Sequence, residues 1–94
     1  MSLAFTKRLR DPIRRGEITT TVRIWRALHV KVGGRYPLSP GHVEVTRIQH
    51  LDLADITEEI AHRSGFEGLD DLMSVAKHGP GESVYLIDFV YDEA

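Results

Sequence analysis

The sequence predicts an α+β fold, a small curved and mostly antiparallel sheet with two or three helices gathered outside it. Three observations lead there. Short runs rich in β-branched and aromatic residues occur at 19–25, 42–51 and 83–91, and glycine and proline turns lie between the first two. Amphipathic stretches with helix start and stop signals precede the first run and fill the space between the second and third. The 94 residues hold one compact core, burying roughly 60 to 65% of the unfolded surface, so residues 1–94 are expected to form a single domain.

Phe5, Leu9 and Ile13 recur at a helical interval with Lys7, Arg8, Arg10, Arg14 and Arg15 between them, an amphipathic pattern with a basic outer face. Proline is tolerated in a first helical turn and Asp11 is a good cap, so the helix proper is expected over Pro12 to Arg15, ended by Gly16. Thr19 to Trp25 reads as a strand. Alternation sets Thr20, Val22 and Ile24 on a core side, while Thr19, Thr21, Arg23 and Trp25 line the other with hydroxyls, a guanidinium and an indole. Val32-Gly33-Gly34-Arg35 turns the chain into a short extended run, Arg35 to Leu38, which Pro37 marks as edge or irregular. After the Ser39-Pro40-Gly41 turn, His42 to Leu51 is a strand antiparallel to that run. Its alternation places Val43 and Val45 on one face and Glu44, Thr46 and Ile48 on the other.

Asp55 with Glu58 three positions on forms a capping-box signature, and the helix it opens carries Ile56, Ile60 and Ala61 on one face and stops at Gly65. Leu69, Leu72, Met73 and Ala76 define a further helix, ended by His78-Gly79-Pro80. Glu67, Asp70 and Asp71 suit the positive end of its dipole, and Lys77 and His78 the negative end, so helix chemistry accounts for these charges. Ser83 to Tyr91 is apolar on both faces, the mark of a central strand. Asp88 interrupts one face, and a buried carboxylate there is expected to pair with an arginine, Arg23 being the candidate.

At 41% hydrophobic and 28% charged residues, the composition is that of a globular rather than a disordered chain. No apolar run reaches the roughly 20 residues of a membrane span, and the first residues lack the apolar stretch of a secretory signal. A cytoplasmic protein with no membrane partner is therefore expected. The absence of cysteine excludes disulfides, thiolate zinc sites and a cysteine nucleophile. His29, His42, His50, His62 and His78 fall on separate elements, and there is no phosphate-binding glycine loop or zinc-protease motif, so neither a metal nor a cofactor is expected. The net charge of −2 is unevenly spread. Residues 1–47 hold ten Lys and Arg against three acids, +7, whereas residues 48–94 hold two against eleven, −9. Such polarity suits either a basic surface that steers a phosphate-bearing ligand or mutual neutralisation of the two halves across the fold.

Gly16, the Thr19-Thr20-Thr21 run, Val22 and Arg23, preceded by Phe5 to Ile13 and followed by Val32-Gly33-Gly34-Arg35, resemble the opening motif of the ASCH domains, small relatives of the RNA-binding PUA fold. The resemblance continues through Ile56-Thr57-Glu58-Glu59-Ile60-Ala61, Gly65-Phe66 with Leu69 and Leu72, and Val84-Tyr85-Leu86-Ile87-Asp88-Phe89, and so covers nearly the whole chain. It implies a small PUA-like β-barrel. Some ASCH proteins are acetylcytidine amidohydrolases that use a lysine two residues after the motif glycine, a threonine three residues later and a glutamate after the central helix. Ile18, Thr21 and Ser64 occupy those positions here. Without an amine and a carboxylate, that mechanism loses roughly the 10²–10⁴-fold that positioned acid–base groups contribute. Glu17, Glu58 or Glu59 could substitute only if the alignment slipped by several residues.

Binding suits the remaining residues better. Single-stranded RNA is read by stacking its bases on aromatic or guanidinium planes, with cations along the backbone and hydroxyls as hydrogen-bonding groups. Trp25 either supplies such a plane or closes the barrel as a buried aromatic, and Arg23 either contacts a ligand or pairs with Asp88. The expected site is a basic cleft beside strand 19–26 formed by Thr19, Thr21, Arg23, Trp25 and Arg26, with Arg14 and Arg15 on its rim. Its partner is single-stranded or tRNA-like RNA, or a nucleotide-like small molecule. The alternative is an enzyme in the same cleft, a ribonuclease or an amidohydrolase with a non-standard catalytic set, for which Thr21, Lys31, Tyr36 and Ser64 are the groups to test.

Overall fold

The computed structural model describes residues 3–76 and 83–93. Helix α1 (Lys7–Arg14) leads into strands β1 (Thr20–Trp25), β2 (Arg35–Leu38) and β3 (Gly41–Leu51). A 3-10 turn (Leu53–Asp55), helices α2 (Glu58–Arg63) and α3 (Leu69–Ala76) and strand β4 (Ser83–Asp92) follow. The four strands pair antiparallel in the order β1-β4-β3-β2 and curl into a half-barrel. Among the described residues the sheet is open, with β1 and β2 as its edges, the curved antiparallel sheet that the residues predict, and its curl is compatible with the small barrel that the resemblance implies. Strand β4 is apolar on both faces because it is internal, and Pro37, which has no N–H to give a neighbour, sits on edge strand β2.

Cross-strand partners in such a sheet share a face, so the register fixes which side chains meet. Thr21 pairs with Ile87 and Arg23 with Tyr85, while Val45 pairs with Phe89 and Val43 with Tyr91. The β3 register shifts between Val45 and Arg47, and beyond it Ile48 pairs with Ile87 and His50 with Tyr85. One extra residue at a bulge inverts the alternation that follows it. Ile48 and His50 therefore join the face of Val43 and Val45, contrary to the simple alternation expected for this strand. Asp88 pairs in register with Thr20 and Arg47, on the face opposite Arg23. The expected Arg23–Asp88 pair is thus precluded by parity.

Helix α1 begins well before Pro12, which lies inside it, and not at Pro12 as the capping pattern suggested. An interior proline costs about 3 kcal/mol. Burying Leu9 and Ile13, each worth roughly 1.5–3 kcal/mol, offsets that cost and holds the longer helix. The cap of α2 is Thr57, whose hydroxyl oxygen accepts from the Ile60 N–H at 3.2 Å, rather than Asp55. Asp55 instead closes the 3-10 turn by accepting from the Asp52 N–H at 3.0 Å. Past α2, Gly65 has φ +92°, and a Cβ there would lie 2.5 Å from Ile18 Cδ1 and 2.7 Å from Leu9 Cδ2. The end of α2 is thereby pressed against α1 and the approach to β1. The expected end of α3 at His78-Gly79-Pro80 lies outside the described residues. Among those described, no helix is long and apolar enough to cross a membrane.

Candidate functional site

Strand β1 is covered on both sides. Thr20, Val22 and Ile24 are buried as expected, but Thr21 and Trp25 on the other face are only 5% and 7% exposed. Residues 4–6 and helix α3 overlie that face, so the row does not stand open to solvent. The two layers leave a cavity of about 360 Å³ between them, lined by Phe5, Thr21, Arg23, Trp25, His29 and Phe66 among others. This volume is at the small end of ligand sites. The indole of Trp25 is stacked with the His29 imidazole, with ring centroids 4.6 Å apart and planes at 25°, and tilts against Tyr85 at 6.1 Å. The aromatic wall is therefore a tryptophan–histidine pair rather than an isolated indole.

Among the described residues, Arg23 is the only cation of Lys or Arg type lining this cavity, and no carboxylate among them lines it. Its Nε donates to Thr21 Oγ1 at 3.2 Å and its Nη2 to the Ala4 carbonyl at 2.5 Å, while the guanidinium carbon lies 5.0 Å from the centre of the Phe5 ring. All these partners are neutral. Burial pulls the guanidinium down to about 10, which leaves it charged at neutral pH. A fork of five N–H donors keeps capacity beyond these two bonds. The cavity thus combines a partly desolvated positive charge, a hydroxyl and stacked rings, a set able to take a planar ring bearing an anionic group.

The remaining candidate residues are dispersed. Thr19 is exposed, and its carbonyl accepts from the Phe89 N–H at 2.9 Å; Arg26 is exposed as well, and neither lines the cavity. Arg14 donates through Nε to the Ser39 carbonyl at 2.6 Å and through Nη1 to Asp11 at 2.7 Å, beside a separate cavity of about 240 Å³. Arg15 is bound to Glu17 at 2.7 Å, and Arg8 to Asp71 at 2.8 Å. The Arg15 hydrogen bond holds Glu17 below the usual carboxylate range, and the Glu67 N–H followed by Arg8 does the same for Asp71. Ser64 is 1% exposed and donates to the Ile60 carbonyl at 2.8 Å as the end cap of α2, outside the cavity lining. Tyr36, also outside the lining, accepts from the Lys31 N–H at 3.0 Å.

Sequence reasoning missed His29, Phe5 and Phe66 as lining residues. Phe5 and Phe66 read as ordinary core positions, and His29 reaches Trp25 only because the loop after β1 folds back, which no spacing rule signals. Among the described residues, no cluster of three or more His, Asp or Glu side chains is placed to hold a metal ion. In comparisons with known proteins, no family model, curated protein or solved structure matches the chain.

Proposed function

We propose that this is an ASCH-like domain of PUA type that binds RNA or a nucleotide-like ligand in the cavity beside β1, with Thr21, Arg23 and Trp25 in contact with it. The observation that carries the reading is Arg23, a half-buried cation whose partners are neutral, on the wall of an aromatic cavity. Burying a charge without a counter-charge is costly, and an anionic ligand group supplies one. The Trp25–His29 stack gives the flanking surface that a nucleobase uses. The ordered series of ASCH-like motifs and the curled sheet are compatible with the PUA assignment. Ile18 and Ser64 are both buried outside the cavity lining, which supports binding over acetylcytidine hydrolysis.

Trp25 is the only tryptophan, so its fluorescence reports on the cavity directly. Titration with a nucleoside 5′-monophosphate is expected to change the emission at concentrations where the bare nucleoside has little effect, and Arg23→Met is expected to remove that preference. Emission indifferent to nucleotides and to short single-stranded RNA alike would refute the proposal. Incubation with labelled RNA separates binding from cleavage, and intact RNA is the expected result.

A further inference from the structure

The rings do not stop at the cavity. Tyr85, tilted against Trp25 at 6.1 Å, is itself stacked with His50 at 5.1 Å and 23°. His50 is exposed and Tyr85 half-buried, so the row His29, Trp25, Tyr85, His50 runs from the cavity wall out to solvent across β1, β4 and β3. The β3 bulge creates this row, because uninterrupted alternation from Val45 would have turned His50 to the opposite face. Arg23, Tyr85 and His50 are direct cross-strand neighbours, which puts the half-buried cation at the cavity end of the line. Strands β1 and β3 lie two spacings apart, about 10 Å, enough to separate two unstacked bases. The nearest acids after β3, Asp52 and Asp55, are engaged in their own capping box rather than turned toward a phosphate.

We propose that the ligand is a single-stranded RNA rather than a free mononucleotide: one base enters the cavity beside Trp25, and the adjoining base stacks on the exposed face of His50. This rests on the cavity reading above and adds to it a second base position and a polymeric partner. Aromatic stacking is tolerant of base identity, so the second position contributes affinity with little sequence preference.

The test compares 5′-phosphorylated dinucleotides of adenosine and uridine with counterparts whose second residue is abasic, which keeps the phosphate count equal. The intact dinucleotide is expected to bind roughly 5- to 150-fold tighter, the range of one aromatic stack. His50→Ala, a change at an exposed position, is expected to erase that difference, and His50→Phe to restore it. Equal binding of the two probes, or a difference that survives His50→Ala, overturns the second position. Arg23-dependent binding of the mononucleotide would meanwhile still stand. Failure of every probe to bind overturns both proposals.

Discussion

Arg8, Arg14 and Arg15 each rest on a carboxylate at 2.7 to 2.8 Å, whereas half-buried Arg23 rests on neutral groups, Thr21, the Ala4 carbonyl and the Phe5 ring. The three acids of residues 1–47, Asp11, Glu17 and Glu44, all pair with arginines of that same half. With Arg8 on Asp71, three of the five cations of residues 7–15 are paired with carboxylates. A positive charge becomes available to a ligand through lack of compensation rather than through number, and half-buried Arg23, with its neutral partners, meets that condition beside the cavity. Water screening also makes exposed pairs weak in energy, so the α1 side contributes little either to stability or to attraction.

The most severe way to break this contrast is Trp25→Ala. The indole is buried beside Tyr85 and His29, so truncation is expected to cost about 3–5 kcal/mol of stability, read from urea unfolding by circular dichroism. Near-normal stability would mean that the cavity wall is as loosely held as the rim. Arg23→Met comes next. It is expected to weaken nucleotide binding by about 2–5 kcal/mol, the range for removing one partner of a buried charge-assisted contact. Stability should change by only about 1 kcal/mol, since the lost bonds are to neutral acceptors. Calorimetric titration with unfolding curves reads both, and unaltered affinity would remove Arg23 from the site.

Much of this architecture was legible in the residues. The β-branched run of β1, the doubly apolar β4 and the proline of β2 each have a local physical cause, and the first and last of these elements fall within a residue or so of the expected bounds. Less legible was anything set by pairing. The β3 bulge has no marker in Val45-Thr46-Arg47, yet it decides the face of His50, and the register alone separates Arg23 from Asp88. Pro12 misled because tertiary burial of Leu9 and Ile13 outweighed a local penalty. For the candidate cavity, strand alternation correctly grouped Thr21, Arg23 and Trp25, but it could not show that residues 4–6 roof them over or that His29 covers one side of the indole.

A gentler probe of the same contrast is ionic strength. If Arg23 alone meets a phosphate, the logarithm of the binding constant should fall with the logarithm of salt at a slope near −0.7, the value for one single-strand phosphate contact. A slope several times steeper would bring Arg14, Arg15 or Arg26 into the interface despite their placement outside the cavity lining. Fluorescence titrations at several salt concentrations supply the slope.

The smallest effect lies on the compensated side. Asp71 is held below its ordinary range by the Glu67 N–H and by Arg8, so its ionised form is favoured in the folded state. A depressed carboxylate stabilises the fold at pH above the unfolded value of about 3.9, and this contribution disappears as pH falls through the lower folded value. Asp71→Asn should therefore melt slightly earlier than the parent at neutral pH, and the two curves should converge in acid. Because the carboxylate is partly in water, the shift should be small and shrink further in salt. Nucleotide affinity should not change with it, since the Arg8–Asp71 pair and the cavity cation are electrostatically separate in this arrangement. A loss of affinity in Asp71→Asn would show that the rim and the cavity are coupled, and the distinction between compensated and uncompensated arginines would have to be redrawn around Phe66, which lies under Arg8 and lines the cavity.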